Sequence, residues 1–201
     1  MCGRIHMEAT DPEIREIIRE MNRSALSARF RSDPDDLLAP EGEIFPSAVL
    51  PAAAYSRAGE RRIFPMKWGF SLGGRLLINA RSETAAEKPS FRDAWMNHRC
   101  AVPASWYYEW EHDEKKKPGR KYALRPARSG IIWLAGLYRM EEGLPVMVIL
   151  TRPAVDALAW MHSRMPLILS AQDAVEWIRP GADPEAVAAK CVTGVRWEQA
   201  G

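Results

Sequence analysis

The segment that decides the fold is residues 131–150, Ile-Ile-Trp-Leu-Ala-Gly-Leu-Tyr-Arg-Met-Glu-Glu-Gly-Leu-Pro-Val-Met-Val-Ile-Leu. It contains two near-continuous apolar runs, Ile131 to Leu137 and Val146 to Leu150. Runs without alternation are typical of strands that are buried on both faces of a sheet. Further strand-like runs lie outward from this segment, at Arg62 to Phe64, Arg75 to Ala80, Cys100 to Pro103, Lys121 to Leu124 and Pro166 to Leu169.

A few short helices are predicted from their first residues. Asp11-Pro12-Glu13 is a typical helix start, and isoleucines at helical spacing follow it. Other helices are predicted over Pro153 to His162, after the capping pair Ser170 and Asp173, and after Asp183-Pro184-Glu185. Residues 31–42 are predicted to be a loop, and residues 111–121 an exposed hairpin tip. We therefore expect one α+β domain over residues 1–201, dominated by mixed sheet.

Composition limits the possible functions. The chain has 201 residues, and a net charge of +2 excludes a strongly basic coat, so any DNA contact has to be a local groove. No apolar run is long enough to span a membrane, and no signal core follows the first residues, so we expect a cytoplasmic protein. No heptad pattern stands out, which favours a monomer. The sequence identifies no protein partner, at the replication fork or elsewhere.

The cysteines and histidines do not indicate a metal centre. The chain has three widely spaced cysteines and four histidines without ligand spacing. Free thiols are expected in a reducing cytoplasm. We expect neither a metal nor a cofactor.

Cys2 carries the most distinctive chemistry, because removal of Met1 would leave an amine and a thiol on adjacent carbons. An α-amine has a pKa of about 7.7–8.0 against about 10.4 for lysine, so its neutral fraction at pH 7 is roughly a few hundredfold larger. Such an amine condenses with an aldehyde to an imine, and the thiol can then close a thiazolidine ring. The alternative is an ordinary thiol on a frayed terminus.

Three other segments present polar groups beside apolar or aromatic ones. An apolar strand ends in Ile78-Asn79-Ala80-Arg81, and Glu109 lies in Trp106-Tyr107-Tyr108-Glu109-Trp110. Desolvation among four rings would suit Glu109 to proton transfer. His162 can act as an acid or a base near neutral pH. The alternatives, an outward-pointing glutamate and a histidine packed at a helix end, stay open at this point.

Several short motifs occur together along the chain. They are Met1-Cys2-Gly3-Arg4, Trp68-Gly69-Phe70, Ile78-Asn79-Ala80-Arg81-Ser82-Glu83-Thr84, Phe91-Arg92 with Arg99-Cys100, Pro103-Ala104 leading to Tyr108-Glu109-Trp110, and His162 with Arg164-Met165-Pro166. In this order they resemble the SRAP (SOS response-associated peptidase) family from Cys2 to about Trp177. The resemblance implies a barrel-like, largely antiparallel sheet with flanking short helices.

The resemblance also implies a covalent crosslink to abasic sites in single-stranded DNA, formed as a thiazolidine on Cys2, which shields the lesion during the DNA damage response. Asn79 would hold the terminal amine and the sugar, Glu109 would move protons during imine formation, and His162 would help to open the sugar ring. DNA contacts are expected from Arg4, Arg81, Trp68, Pro46 and Arg164.

Two departures from the family pattern affect these expectations. Ser163 replaces an aspartate found in many relatives, so an acid that would orient His162 is missing. Ile44-Phe45-Pro46-Ser47 keeps the proline but not the asparagine of a usual Asn-x-x-Pro segment.

Two other functions remain open. The same cysteine could act as an N-terminal nucleophile of a peptidase that removes Met1. Alternatively, the chain could be a non-catalytic module that binds single-stranded DNA through aromatic side chains and arginines.

Overall fold

The computed structural model describes residues 2–33, 35–112, 118–127 and 130–200. Residues 113–117 of the predicted hairpin tip lie outside the described residues, and its other residues belong to the strands on either side. Within the described residues the strands are β1 (Ile5–Met7), β2 (Gly42–Ile44), β3 (Val49–Tyr55), β4 (Arg61–Trp68), β5 (Phe70–Leu72), β6 (Arg75–Leu77), β7 (Asn79–Arg81), β8 (Arg99–Ala104), β9 (Trp106–His112), β10 (Pro118–Pro126), β11 (Ile132–Glu141), β12 (Leu144–Pro153), β13 (Arg164–Pro166), β14 (Ile168–Leu169) and β15 (Val195–Gln199). The α-helices are α1 (Pro12–Arg23), α2 (Ser82–Ala85), α3 (Arg92–Asn97), α4 (Asp156–Ala159), α5 (Ala171–Ile178) and α6 (Pro184–Ala188).

A closed ring of five strands forms the centre of the fold. Strand β12 pairs with β4, β4 with β3, β3 with β8, β8 with β11, and β11 again with β12. Only the pairing of β12 with β4 is parallel within this ring. The mixed, largely antiparallel and barrel-like sheet that the sequence predicted is confirmed.

Alternate residues of the barrel strands contribute to two different apolar clusters. The first cluster contains Leu50, Ala52 and Ile149 of the barrel, together with residues of β1 and β9. The second contains Ala53 and Leu150, together with residues of α1, α3 and α5. Both faces of the barrel strands are therefore buried, which explains why their sequences are apolar without alternation.

A second sheet lies against the first cluster in the strand order β15-β10-β9-β1-β2, and every pairing in it is antiparallel. Strand β1 occupies the position between β2 and β9. This arrangement brings the N-terminal segment alongside β9, so that the Arg4 carbonyl accepts a hydrogen bond from the Tyr108 N–H at 3.0 Å.

The predicted helix starts at Asp11, Ser170 and Asp183 are confirmed. Each side chain accepts hydrogen bonds from backbone N–H groups of the first turn, at 2.8 Å from Glu13 in α1 and 3.0 Å from Asp173 in α5. These side chains satisfy donors that have no partner within the helix.

Three predicted boundaries are wrong. The helix predicted over Pro153 to His162 is limited to α4, because Pro153 still belongs to β12 and pairs with Arg164. The run Arg75 to Ala80 forms two strands, since β6 pairs with β5 whereas β7 pairs with β12. The run Pro166 to Leu169 is divided between β13 and β14.

Strand β3 has no counterpart among the sequence predictions. Its alanines and Pro51 have low strand propensity, yet β3 pairs with β4 on one side and β8 on the other. Pro51 lies directly opposite Pro65 of β4. Tertiary pairing therefore overrides local preference. No helix in the described part of the chain is long and apolar enough to cross a membrane.

Candidate active site

Cys2 is fully buried at the entrance to β1, and its side chain belongs to the first apolar cluster. Burial, reinforced by the negative charge of Glu109, raises the pKa of the Cys2 thiol far above its usual value. The thiol Sγ lies 4.0 Å from the Arg4 carbonyl oxygen. A frayed terminus does not fit these observations, and the thiol stays protonated at neutral pH.

Glu109 lies on β9, with 6 % of its surface exposed. Its Oε1 accepts a long hydrogen bond of 3.4 Å from the Trp110 N–H. Strand alternation places Tyr107 and Glu109 on one face of the sheet and their aromatic neighbours on the other. The enclosure by four aromatics that the sequence predicted is therefore wrong, because only Tyr107 of the four shares the face of Glu109. Tyr122 of β10 lies directly opposite Glu109 in the register and shares that face.

Tyr107 is a member of this site that sequence reasoning missed. Its hydroxyl is buried and has no hydrogen-bond partner within the described residues. Burial, together with the charges of Cys2 and Glu109, raises the pKa of Tyr107. Period-two alternation counted back from Glu109 would have found it.

Asn79 is the first residue of β7 and lies opposite Ile149 of β12 in a parallel pairing. Its Nδ2 donates to the Ile149 carbonyl at 3.3 Å. Its Oδ1 is buried, and none of the residues that the structure describes donates a hydrogen bond to it. A buried carbonyl oxygen in this state is a ready acceptor for a new donor, such as an ammonium group.

His162 follows α4, and the main chain sets its ring orientation. The ring Nδ1 accepts a hydrogen bond from the Arg164 N–H at 2.9 Å. In the neutral ring the proton therefore resides on Nε2, which makes Nε2 the donor. The Arg164 amide donates to the ring, whereas an acid at position 163 would accept from a ring N–H, so the amide contacts the ring in the opposite sense.

Of the four candidates, only Cys2 belongs to the first apolar cluster, and the other three are related to it through neighbouring residues. Cys2 is a member of this cluster, and so are Tyr107 and Met161. Ile78, the residue before Asn79, packs against it. Tyr107 shares the strand face of Glu109, and Met161 precedes His162. Asn79 and His162 are therefore next in sequence to residues that contact the cluster, and Glu109 shares a strand face with a residue of the cluster.

Two of the predicted DNA-contacting arginines have internal partners. The Arg4 Nε lies 3.4 Å from a Glu43 carboxylate oxygen, and its guanidinium lies 3.8 Å from the centre of the Phe45 ring. Arg164 donates to both carboxylate oxygens of Glu83, and these bonds hold the pKa of Glu83 down at about 2. Neither arginine offers an unengaged charge to a phosphate.

The other predicted DNA contacts differ in exposure. Arg81 is exposed at the end of β7, and Pro46 is half-buried in a turn next to the exposed Phe45. Trp68 is fully buried, and its indole N–H donates to the Ile78 carbonyl at 2.9 Å. Because no face of this ring reaches the surface, Trp68 supports the strand that leads to Asn79 and does not stack on DNA in this structure. Within the described ranges, no group of three or more potential ligands is placed to hold a metal ion.

The family model described as "SOS response associated peptidase (SRAP)" matches residues 1–199. The chain belongs to this family. It is 32 % identical over 205 residues to the abasic site processing protein YoqW of Bacillus subtilis, in a match that covers 92 % of this chain and 84 % of YoqW. It is 33 % identical over 121 residues to the abasic site processing protein YedK of Escherichia coli, covering 57 % of this chain and 54 % of YedK.

A further sequence relative and a solved structure each match most of the chain. The abasic site processing protein HMCES of Xenopus tropicalis is 24 % identical, over 96 % of this chain and 70 % of its own length. A crystal structure of a phage-related protein from Bordetella bronchiseptica superposes with a TM-score of 0.72 at 22 % identity, covering 99 % of this chain and 94 % of that chain.

Proposed function

We propose that this chain processes abasic sites in single-stranded DNA, and that its mature N-terminal Cys2 bonds covalently to the ring-opened sugar. The names of its relatives support the substrate, and the family match extends over nearly the whole chain. One observation carries the chemistry: a fully buried thiol at Cys2 lies within the electrostatic influence of Glu109. Such a pair suits a reaction in which the thiol acts late and transfers its proton to a carboxylate.

The proposed reaction has two bond-forming steps. After removal of Met1, the neutral amine of Cys2 attacks the aldehyde of the open sugar, and loss of water gives an imine. The Cys2 sulfur then adds to the imine carbon, its proton passes through Glu109 to the imine nitrogen, and a five-membered thiazolidine closes. Since ring closure has to move the thiol proton, a nearby proton acceptor is needed at this second step.

Asn79 and His162 have supporting roles in this proposal. The Oδ1 of Asn79, which accepts no hydrogen bond from the described residues, would accept one from the Cys2 ammonium group and so position the amine. The Nε2–H of His162 would donate to the sugar ring oxygen and favour opening of the hemiacetal.

The proposed DNA contacts are few. Arg81 is the exposed cation next to Asn79, and Pro46 lies in a turn beside Phe45. Arg4 and Arg164 have to exchange internal carboxylate partners before they can bind a phosphate. We therefore expect a shallow dependence of affinity on salt concentration. The monomeric state and the cytoplasmic location stay predictions, and light scattering of the purified protein tests the first.

The peptidase alternative needs an activated thiol for attack on the Met1–Cys2 bond. Burial and the Glu109 charge both raise the pKa of that thiol, which opposes activation. Synthesis in a purified translation system without aminopeptidase separates the routes, because autonomous loss of Met1 would favour peptidase chemistry. A non-catalytic binding module would instead bind intact and abasic strands equally and form no adduct.

A denaturing gel of protein mixed with a single-stranded abasic oligonucleotide tests the proposal. We expect a stable adduct with wild type and with Cys191→Ala, the matched cysteine control. Cys2→Ala keeps an amine, so its adduct should survive only after reduction of the imine. Glu109→Gln and His162→Gln should slow adduct formation. A Cys2→Ala adduct as stable as that of wild type would refute the role of the thiol, and so would an active protein that retains Met1 by mass spectrometry.

A further inference from the structure

An aromatic group of three rings lies at the edge of the second sheet, and we call Tyr122, Trp160 and Trp197 the aromatic rim. The ring centres of Tyr122 and Trp160 are 5.3 Å apart, and those of Trp160 and Trp197 are 6.1 Å apart, both in edge-to-face contact. Trp160 and Trp197 are 43 % and 42 % exposed, whereas the other tryptophans are buried or half-buried. Two adjacent exposed tryptophans are unusual, since these rings normally lose most of their accessible surface on folding.

The aromatic rim adjoins the candidate active site. Tyr122 pairs directly with Glu109 across β10 and β9, so the two side chains are on the same face of the sheet. Trp197 pairs with Leu124 and therefore shares that face with Tyr122. Trp160 lies two residues before His162 in the same segment. The rim thus extends outward from two of the proposed catalytic residues.

Two of the three rings are held in place before any ligand arrives. The Trp160 indole N–H donates to the Ala157 carbonyl at 3.0 Å, and Tyr122 is 9 % exposed beneath it. A rigid aromatic surface loses little side-chain entropy when it binds a flat ring. Stacking on it does not depend on which base is present, because every base has a π-face.

The charge of the chain is compatible with a contribution from stacking. The chain has a net charge of only +2, and Arg4 and Arg164 are both paired with carboxylates. These two arginines are therefore engaged before DNA arrives, and base stacking would add affinity that does not depend on them. From these observations we propose that the aromatic rim binds an unpaired base of the DNA strand adjacent to the abasic nucleotide. This inference rests on the proposed function and adds a subsite to it.

The test uses a single-stranded oligonucleotide with a tetrahydrofuran abasic analogue, which has no aldehyde and forms no adduct. Fluorescence anisotropy would give Kd for wild type, Trp160→Ala, Trp197→Ala and the conservative Trp160→Phe. Met140→Ala, which removes an exposed apolar side chain on β11, is the matched control. We expect each Trp→Ala change to raise Kd roughly tenfold (~1.4 kcal/mol), Trp160→Phe to raise it less, and the control to leave it unchanged.

A second oligonucleotide identifies the stacked base. In it, one base that flanks the analogue is replaced by a baseless spacer. Removal of the stacked base should weaken binding by wild type but not by the tryptophan variants, since both changes remove the same contact. The proposal would be overturned if the loss of either flanking base and the loss of a tryptophan raised Kd independently and additively. It would also be overturned if both Trp→Ala variants kept the wild-type Kd and the wild-type melting temperature.

Crosslinking to a genuine abasic strand separates this inference from the proposed function. At saturating DNA the tryptophan variants should react at the wild-type rate, because the rim affects binding and not the chemistry. A wild-type protein that forms no adduct would refute the proposed function, while the anisotropy measurements would still decide whether the rim binds a base. A reduced maximal rate at saturating DNA would overturn the assignment of the rim to binding.

Discussion

Replacement of Arg99 by methionine should destabilise the whole fold. Arg99 is 5 % exposed at the start of β8, and its guanidinium lies where α3 and α5 end. It donates hydrogen bonds of 2.6–3.2 Å to five backbone carbonyls, those of Trp95, Met96, Trp177, Arg179 and Ala182. Helix ends leave carbonyls without intrahelical partners, so one side chain satisfies acceptors of two helices and a loop.

The size of the expected loss in the free energy of unfolding follows from the number of backbone carbonyls that lose their hydrogen-bond donor. Three of the five hydrogen bonds are fully buried, and each unsatisfied group costs about 1–3 kcal/mol. Methionine keeps much of the apolar stem, and it removes the cost of burying the charge, which offsets part of the loss. We expect Arg99→Met to lower the free energy of unfolding by about 3–5 kcal/mol.

Urea denaturation measures this loss as a lower midpoint at an unchanged slope. In a domain of this size the melting temperature should fall by roughly 6–20 °C. Arg61→Met, at an exposed position on β4, is the matched control and should change the free energy of unfolding by less than about 0.5 kcal/mol. A loss of less than about 1 kcal/mol in Arg99→Met would refute the argument, because that is the typical effect of an arbitrary substitution.

Three further predictions concern stability and pH. The pKa of Glu83 is lowered from 4.5 to about 2 when the protein folds, so its pairing with Arg164 stabilises fully above about pH 4.5 and is lost as the pH falls towards 2. The destabilisation caused by Glu83→Gln, measured by urea denaturation, should therefore shrink over that interval, and a constant difference would contradict the assignment. Tyr107→Phe removes a buried hydroxyl that has no partner within the described ranges, so the free energy of unfolding of the DNA-free protein should increase by about 1 kcal/mol. A higher melting temperature would show this gain, and a lower one would show that the hydroxyl already has a hydrogen-bond partner. Gly69→Ala should lower the free energy of unfolding, measured by chemical denaturation, by about 2–4 kcal/mol, because φ is +126° and an added Cβ would lie 2.5 Å from Leu76 Cδ1. Gly73→Ala should lower it by less, because an added Cβ at Gly73 meets no atom within 4 Å.

The sequence predicted those parts of the fold in which the pattern of a segment agrees with the tertiary contacts that the segment makes. The apolar run around Ile149 is a strand because both of its faces are buried, and Asp11 caps α1 because its side chain reaches the first N–H groups. Strand β3 was missed, since only its two neighbours make Pro51 and the adjacent alanines a strand. The early end of the helix after Pro153 likewise depends on pairing with a later strand.

The candidate site, like the fold, was predicted in part from the sequence, and the rest depends on tertiary contacts. The order of the motifs predicted Cys2, Asn79, Glu109 and His162 as site residues, and their catalytic roles stay predictions. Sequence order could not reveal that Arg164 is already paired with Glu83, because that contact joins segments 81 positions apart. It also did not reveal that the Oδ1 of Asn79 accepts no hydrogen bond from the part of the chain that the structure describes, because this depends on how the surrounding strands pair.

The hydrogen bond from the Arg164 N–H to the His162 ring has an evolutionary consequence. An orienting carboxylate can be lost through a single codon change, whereas every residue except proline supplies a main-chain N–H. The path of the backbone therefore supplies this contact to the imidazole, and the side chain at position 163 is not needed for it. A shift in the register of β13 would remove the contact, whereas a change of the Arg164 side chain to any residue but proline would keep the donor.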